Sequence, residues 1–187
     1  MKPAFFVPVV LLSLLFMASP SPSQERTLVK GDIESGGFGA AVAKLTEVQG
    51  DVAAIAGLRG GWVIDHVFVL GAGFYGLASD VAISDAGGRD VEFGYGGIEL
   101  EYIGDWREVL HWSIYGLVGG GAIEYVDQTD GVFVFEPALN LEANVTSFFH
   151  LELGGGYRVV AGVTGPELSN SGMSGVFGAL MLKFGSF

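Results

Sequence analysis

The sequence predicts an all-β chain that closes into an eight-stranded antiparallel up-and-down barrel. Most of the chain after residue 37 consists of long segments in which apolar and polar side chains alternate, which is the period of a strand with two different faces. Turn-forming residues separate these segments. The 31 glycines and 14 phenylalanines also favour strands with aromatic surfaces over helices, in which each glycine costs about 1 kcal/mol relative to alanine.

The composition limits both the domain organisation and the classes of function. A chain of 187 residues has room for one domain after an export signal. The formal charge of -12, with only nine Lys and Arg residues, argues against a nucleic-acid partner, because a phosphate backbone needs a basic surface. The sequence contains no cysteine, which excludes disulfides, thiolate metal sites and a lipid attached to an N-terminal cysteine.

The N-terminal segment has the layout of a secretory signal peptide. Lys2 precedes an apolar run over residues 4–18, and a small, proline-rich stretch follows over residues 19–23. The apolar run is shorter than the ~20 residues of a membrane-spanning helix. We therefore expect residues 1–23 to be removed on export, residues 24–37 to form an N-terminal periplasmic segment and residues 38–187 to form the barrel. A retained N-terminal anchor is the alternative.

The predicted strands are long enough to cross a membrane. A transmembrane barrel strand needs about 9 to 11 residues at its tilt, whereas strands of soluble proteins average about 5 or 6. Eight strands are predicted, over residues 38–46, 52–64, 67–78, 91–103, 109–125, 132–145, 148–160 and 175–187.

The connections between these strands differ in length in a regular way. The second, fourth and sixth connections are short, at residues 65–66, 104–108 and 146–147. The others are mostly longer and polar, with loops at residues 79–90, 127–131 and 161–174. Short turns that alternate with long loops are typical of outer-membrane barrels, which keep the turns in the periplasm and the loops outside.

Alternation assigns one face of each strand to lipid and the other to the lumen. On the sixth predicted strand, Phe135 and Leu139 share the apolar face, and Glu136 and Glu142 share the other. A carboxylate that faced lipid would cost several kcal/mol, so we expect the charged side chains inside a transmembrane barrel. The predicted polar network of the lumen comprises Arg59, Glu99, Glu101, His111, Glu136, Glu142, His150, Glu152, Arg158 and Lys183.

This network is expected to close the lumen. Eight strands enclose only enough room for their own side chains, so no open pore is predicted. The glutamates are expected to pair with Arg59, Arg158 and Lys183 and to occupy the middle of the barrel.

The last predicted strand ends in an aromatic residue. Phe184 continues the apolar face of this strand, whereas Phe187 shares its face with Lys183 and Gly185, so both phenylalanines are candidates for an assembly signal. With this C-terminus and the strand pattern over residues 38–187, the chain resembles the small eight-stranded outer-membrane barrels of the OmpA/OmpX type. The resemblance implies a monomer in the bacterial outer membrane, inserted by the barrel-assembly machinery and surrounded by outer-membrane lipids and lipopolysaccharide. It does not select one function, because members of this family have unrelated roles.

One glycine-rich motif has a dinucleotide-binding spacing. Residues 71–76 match G-x-G-x-x-G after a strand, and Asp90 follows at a suitable distance. The dinucleotide fold needs a helix to begin at the last glycine, but Gly76 leads into a polar loop. We interpret these glycines as part of a tightly curved strand and predict no cofactor.

The three histidines are candidate metal ligands. His66, His111 and His150 all lie where strands meet the predicted periplasmic turns. Their strands are expected to be separated around the barrel, so we interpret them as ordinary polar residues at the rim and predict no metal site.

An enzymatic alternative rests on Ser113. A lipid-modifying barrel enzyme needs a serine beside a histidine and a carboxylate, and His111 lies two residues away, with Glu99 and Glu152 as candidate carboxylates. In the predicted topology these groups lie at the periplasmic end of the barrel, whereas lipid A resides in the outer leaflet. We therefore predict a non-enzymatic protein with a structural or surface-interaction role through its extracellular loops. A lipid-modifying enzyme and a secreted lipocalin-like barrel that binds a small apolar ligand are the alternatives.

The predicted outer loops are acidic. We interpret their carboxylates as a solvated rim, with binding of divalent cations that bridge lipopolysaccharide as the alternative. The acidic residues are Asp80, Asp85, Asp90, Asp127, Asp130 and Glu167.

Overall fold

The computed structural model describes residues 34–83, 89–125, 128–165 and 168–187. The predicted signal peptide and nearly all of the predicted periplasmic segment lie outside these residues, as do Asp85, Asp127 and Glu167. The barrel strands are β1 (Ser35–Val48), β2 (Asp51–Ile64), β3 (Phe68–Leu77), β6 (Glu92–Gly104), β7 (Leu110–Tyr125), β8 (Gln128–Asn144), β9 (Phe149–Ala161) and β10 (Gly175–Ser186). A small hairpin of β4 (Ala82–Ile83) and β5 (Arg89–Asp90) lies between β3 and β6, and a helix of one turn, α1 (Asn170–Met173), precedes β10.

The described strands form the predicted closed antiparallel meander. Each barrel strand pairs with the next along the chain, and β1 pairs with β10 from Gly37 opposite Ser186 to Thr46 opposite Phe177. We call the end of the barrel at which β1 begins the turn end, and the opposite end the loop end. None of the described helices is long and apolar enough to cross a membrane.

Some strand ends and connections differ from the prediction. β1 begins at Ser35 rather than at residue 38, and β8 begins at Gln128, so most of the predicted loop 127–131 is strand. The pairing of β7 with β8 continues through polar residues, with Glu124 opposite Thr129. Because apolar and polar residues do not alternate there, the sequence contains no sign of a strand. At the same end of the barrel, β1 and β2 are joined by Gln49 and Gly50, both with positive φ, which makes this connection a tight turn rather than a longer loop.

The faces of the strands follow the predicted alternation. On the outside, Leu139 is 66% exposed and Leu153 is 56% exposed, whereas the inward Glu136 and Glu152 are fully buried. The same holds around the barrel, where Leu58, Phe74, Ile98, Leu100, Ile114, Val176 and Leu180 are all exposed. The molecule therefore has an apolar outer wall and an interior that contains most of its buried charges.

Glycine allows two strands to approach closely at one point of the wall. Gly97 of β6 lies opposite Gly119 of β7, and a Cβ atom on Gly119 would lie 2.6 Å from the Cα atom of Gly97. A Cβ atom on Gly116 of the same strand would have no atom within 4 Å. The two glycines thus differ in whether a side chain can be accommodated.

We expect Gly119→Ala to destabilise the barrel by about 1–3 kcal/mol, since the methyl group would push two backbones apart. Gly116→Ala should be neutral or slightly stabilising, because it restricts only the unfolded chain. The temperature at which the folded form disappears on a heat-modifiability gel would measure the difference. Equal midpoints for the two variants would show that the strands adjust freely at Gly97.

Candidate functional site

The barrel interior contains a central group of ion pairs around two cations. The guanidinium of Arg59 lies 2.8 Å from Glu99, through Nε, and 2.8 Å from Glu101, through Nη2. Lys183 Nζ lies 2.6 Å from Glu142, 2.9 Å from Glu152 and 3.6 Å from Glu101. All six side chains are almost fully buried. We call these residues the central cluster.

The strands bring the central cluster together from across the barrel. Arg59 comes from β2, Glu99 and Glu101 from β6, Glu142 from β8, Glu152 from β9 and Lys183 from β10. Buried charges of this kind are tolerated only when they are paired, because removal from water penalises each of them by several kcal/mol. The cluster holds four carboxylates but only two cations.

A second ion pair that the sequence analysis did not select lies nearer the loop end. Lys44 Nζ lies 2.5 Å from Glu136 Oε2, and Tyr95 donates a hydrogen bond of 2.7 Å to the other oxygen of that carboxylate. The same ammonium lies 3.6 Å from the centre of the Tyr75 ring, which adds a cation–π contact. Lys44 alternates in phase with the inward Ala40 and Val42, so the strand pattern contained the signal that could have found it.

Arg158 has a different role from the predicted one. Its Nε donates to the backbone carbonyl of Met173 at 2.9 Å, and further hydrogen bonds reach Thr46 and Glu47. The guanidinium also lies over the Phe93 ring, and among the described residues it forms no ion pair with a glutamate. The reason is that α1 folds back over the end of β9, and its last carbonyl needs a donor. Arg158 therefore anchors a loop.

An apolar group of side chains lies inside the barrel at its loop end, beyond the ionic residues. Loop residues contribute to it, since Leu168 and Met173 from the β9–β10 connection and Val81 and Val91 from the β3–β6 connection are buried there. Strand residues of the same cluster include Val48, Ile55, Leu117, Ile123, Val134, Val160 and Phe177. These side chains close the loop end, and a smaller buried apolar group lies at the turn end. Its members are Phe38, Ala40, Val63, Val69 and Ile103, so most of the ionic residues lie between two apolar groups.

Asp130 attaches the β9–β10 loop to the barrel. Its carboxylate accepts hydrogen bonds from the Thr164 hydroxyl, the Thr164 backbone N–H at 2.9 Å and the Gly165 N–H at 3.1 Å. The bonds from Thr164 hold the pKa of the Asp130 carboxyl below its usual range, because they favour the ionised form. This attachment is therefore complete above the ordinary pKa of an aspartate and weakens as the pH falls through the lowered value.

The turn end of the barrel opens into a cavity of about 460 Å³, which we call the vestibule. All three histidines of the chain line it. His66 lies 2.7 Å from Glu34 and stacks on Trp106, with ring centres 4.3 Å apart. Glu142 of the central cluster also reaches this cavity, which joins the vestibule to the buried charges.

The expectation that the histidine strands are separated is wrong for His111 and His150. β7 and β9 flank β8, and both rings face Glu142 of that strand. His150 Nδ1 lies 2.6 Å from Glu142 Oε1, and His111 Nε2 lies 3.9 Å from the same oxygen. One carboxylate oxygen thus lies between two imidazoles.

Ser113 is not placed as a nucleophile would need. Its hydroxyl donates a 2.6 Å hydrogen bond to Glu101 and accepts one of 3.3 Å from Asn140. The Nδ1 atom of His111 instead contacts the backbone carbonyl of Glu108. The Ser113 hydroxyl is therefore hydrogen-bonded to Glu101 and Asn140, and not to His111 or to the candidate carboxylates Glu99 and Glu152.

The glycine motif and the C-terminal aromatics also have defined positions. Residues 71–76 lie within β3, and no helix begins at Gly76.

Phe184 is half exposed on the outer wall and stacks on Phe149, with ring centres 4.9 Å apart. Phe187 lies at the inner rim and stacks on His150 at 3.6 Å between ring centres.

Comparison with solved structures shows which proteins share this fold. Neisserial surface protein A (NspA) has a TM-score of 0.57 and 11% identity, covering 83% of this chain and 99% of that protein. Ail, the attachment invasion locus protein of Yersinia pestis, has a TM-score of 0.48 and 12% identity, covering 81% and 96%. No family model and no curated protein matches the chain. The chain thus has the fold of the small eight-stranded outer-membrane barrels.

Proposed function

We propose that this chain is an integral protein of the bacterial outer membrane, exported by a signal peptide, with a non-enzymatic structural or surface-interaction role. The proposal rests on the difference between the two faces of the strands: the outer wall is apolar, and the interior contains buried ion pairs. A soluble lipocalin-like barrel would have the reverse arrangement, because its wall would face water and its interior would face an apolar ligand.

Aromatic side chains on the outer wall support a position in a bilayer. Near the turn end, Phe68 contacts Tyr102, and Tyr102 contacts Trp112 on the next strand. Trp62 and Phe184 are exposed at the same end, and Phe74, Phe133 and Tyr157 are exposed towards the loop end. Such aromatic girdles flank the lipid-facing band of outer-membrane barrels. On β8 the band from Phe133 to Ala143 is about 25 Å tall at a 45° tilt, which matches that band.

In this proposal the turn end faces the periplasm and the loop end faces outward. Three connections, at residues 65–67, 105–109 and 145–148, lie at the turn end, and the long β3–β6 and β9–β10 connections lie at the other. Outer-membrane lipids and lipopolysaccharide surround the wall, and the barrel-assembly machinery inserts it with Phe184 or Phe187 as the signal. The chain acts as a monomer.

The lumen is plugged in this proposal. The central cluster, the Lys44–Glu136 pair and the apolar group at the loop end succeed one another along the barrel axis. The β9–β10 connection is held against the mouth by Arg158 and Asp130, and the β3–β6 connection contributes its buried Val81 and Val91. Held in this way, the outer sides of the loops form a fixed surface for a partner outside the cell.

Labelling of single cysteines tests this orientation, and the absence of native cysteine makes the experiment free of background. Ser171 is exposed at the loop end and Ser147 is exposed at the turn end. On intact cells we expect a membrane-impermeant maleimide to label Ser171→Cys and to leave Ser147→Cys unlabelled. Both variants should react after the cells are broken. Labelling of Ser147→Cys on intact cells, or recovery of the protein in buffer without detergent, would contradict the proposal.

A further inference from the structure

We propose that the vestibule binds a small organic cation with a primary ammonium group on an apolar stem, and that Glu142 and Asn144 accept its hydrogen bonds. Both residues line the vestibule. The inference concerns the inside of the barrel and does not depend on the membrane in which the barrel lies. Amine binding and cysteine labelling can therefore fail independently.

The Asn144 side chain is the first observation behind this proposal. Its Nδ2 donates a hydrogen bond of 3.3 Å to the backbone carbonyl of Glu108, and this bond fixes the orientation of the amide because a carbonyl can only accept. The Oδ1 atom of Asn144 is buried and has no hydrogen-bond donor among the described residues. A buried acceptor without a donor costs free energy, so a ligand that donates to it gains affinity.

The charge of the central cluster favours a cation at this place. The cluster holds four carboxylates but only two side chains of fixed positive charge, Arg59 and Lys183. Glu142 is the member that lines the vestibule. A cation bound there lies beside an excess of carboxylates, and burial strengthens the attraction relative to water. Protons on His111 and His150 are the competing source of positive charge, and the titration below distinguishes the two.

The Glu142 carboxylate has room for a further donor. Lys183 donates to its Oε2 at 2.6 Å, and His150 Nδ1 lies 2.6 Å from its Oε1. The Nε2 atom of His111 is 3.9 Å from Oε1, which is too far for a hydrogen bond. A carboxylate has about four acceptor positions, so about two remain. An ammonium has three donors, and Glu142 and Asn144 are two residues apart on β8, a spacing that gives them the same face of the strand.

The vestibule also accommodates an apolar stem. Its volume of about 460 Å³ is typical of small-molecule sites, and Val63, Ile103 and Phe187 line it beside the polar groups. Among the described residues that line it, only Arg107 has a fixed positive charge. Arg107 is exposed, and its guanidinium lies over the Trp106 ring, so water screens its repulsion of a bound cation.

Calorimetric titration of the detergent-purified full chain with 2-phenylethylamine tests the proposal. We expect one saturable site. Two analogues of similar size separate the contributions, because 2-phenylethanol lacks the charge and the N,N,N-trimethyl derivative keeps the charge but has no N–H group. Each analogue should bind at least about tenfold more weakly than the amine, since neither donates to both acceptors as a charged group.

Two substitutions at one position identify the site. Asn144→Leu removes the buried acceptor and should lower the affinity for the amine by at least about tenfold. Asn144→Asp keeps an acceptor there and adds a negative charge, so it should bind the amine at least as tightly as the unaltered chain. Asn170→Leu is the matched control, because it makes the same substitution at an exposed residue of the loop end, and it should change the affinity by less than about twofold.

Three results would overturn the proposal. The first is the absence of saturable amine binding, which is the expected result if protons on the histidines already balance the cluster. The others are binding of 2-phenylethanol as tight as that of the amine, and an affinity unchanged in Asn144→Leu. A heat-modifiability gel verifies that each variant is folded. If Asn144→Leu fails to fold, the three probes on the unaltered chain and the affinity of Asn144→Asp decide the outcome.

Discussion

Lys183→Met is expected to destabilise the barrel by about 3–5 kcal/mol, which is the usual consequence of removing one partner from a buried ion pair. The Lys183 ammonium lies 2.6 Å from Glu142 and 2.9 Å from Glu152, and the lysine side chain is fully buried. Methionine fills a similar volume but leaves these carboxylates without their cation. The midpoint of urea unfolding in detergent micelles, followed by tryptophan fluorescence, would measure the loss.

Two controls separate the loss of charge pairing from the loss of packing. Lys44→Met removes a buried ammonium that faces one carboxylate, and Glu136 keeps its hydrogen bond from Tyr95, so we expect a smaller effect. Adding Glu142→Gln and Glu152→Gln to Lys183→Met should recover part of the stability, since the amides need no cation. If Lys183→Met unfolds at the wild-type urea concentration, the interior must be hydrated well enough to solvate the two carboxylates of Glu142 and Glu152, and a plugged lumen is then wrong.

The periodicity of the sequence was sufficient to predict the two faces of the wall. Successive side chains of a strand point to opposite sides, so a charge at position 136 and a leucine at position 139 cannot share a face. This rule is local and needs no knowledge of the neighbouring strands. For that reason Glu99, Glu142 and Glu152 could be placed inside the barrel from the sequence alone, as they are in the structure.

The partners of the inward charges could not be predicted in the same way. They depend on the stagger between strands, which alternation leaves open. Arg59 of β2 reaches Glu99 and Glu101 of β6 across β3, a contact that only the closed barrel defines. Arg158 is drawn away from the glutamates because the β9–β10 loop returns over the mouth. Loop conformation of this kind leaves no periodic signal in the sequence.

The meeting of His111 and His150 could have been anticipated from the topology. In an up-and-down meander, β7 and β9 are both neighbours of β8, so inward residues at the same height on these strands must face the inward residue between them. His111 is the cross-strand partner of Glu142, and His150 is the partner of Asn144 two residues further along. Separation along the sequence was therefore a poor guide to separation around the barrel.

The apolar wall leads to the second prediction with a large expected effect. Leu139 lies near the middle of the apolar outer band of β8 and is 66% exposed. Arginine at the midplane of a bilayer destabilises an outer-membrane barrel by about 2–4 kcal/mol, and the effect falls to about 0–1 kcal/mol near the interfaces. Leu139→Arg should therefore lower the stability of the barrel in lipid vesicles by about 2–4 kcal/mol, measured by reversible urea unfolding.

The control lies on the same strand and the same face. Thr129 points outward beyond the apolar band, so Thr129→Arg should change the stability by no more than about 1 kcal/mol. The two variants compare the loss of stability that an arginine causes at two distances from the proposed bilayer midplane. If the wall faced water, an arginine at an exposed leucine would be harmless, and the two variants would be equally stable. That result would contradict a position in the membrane even though every ion pair of the interior stayed in place.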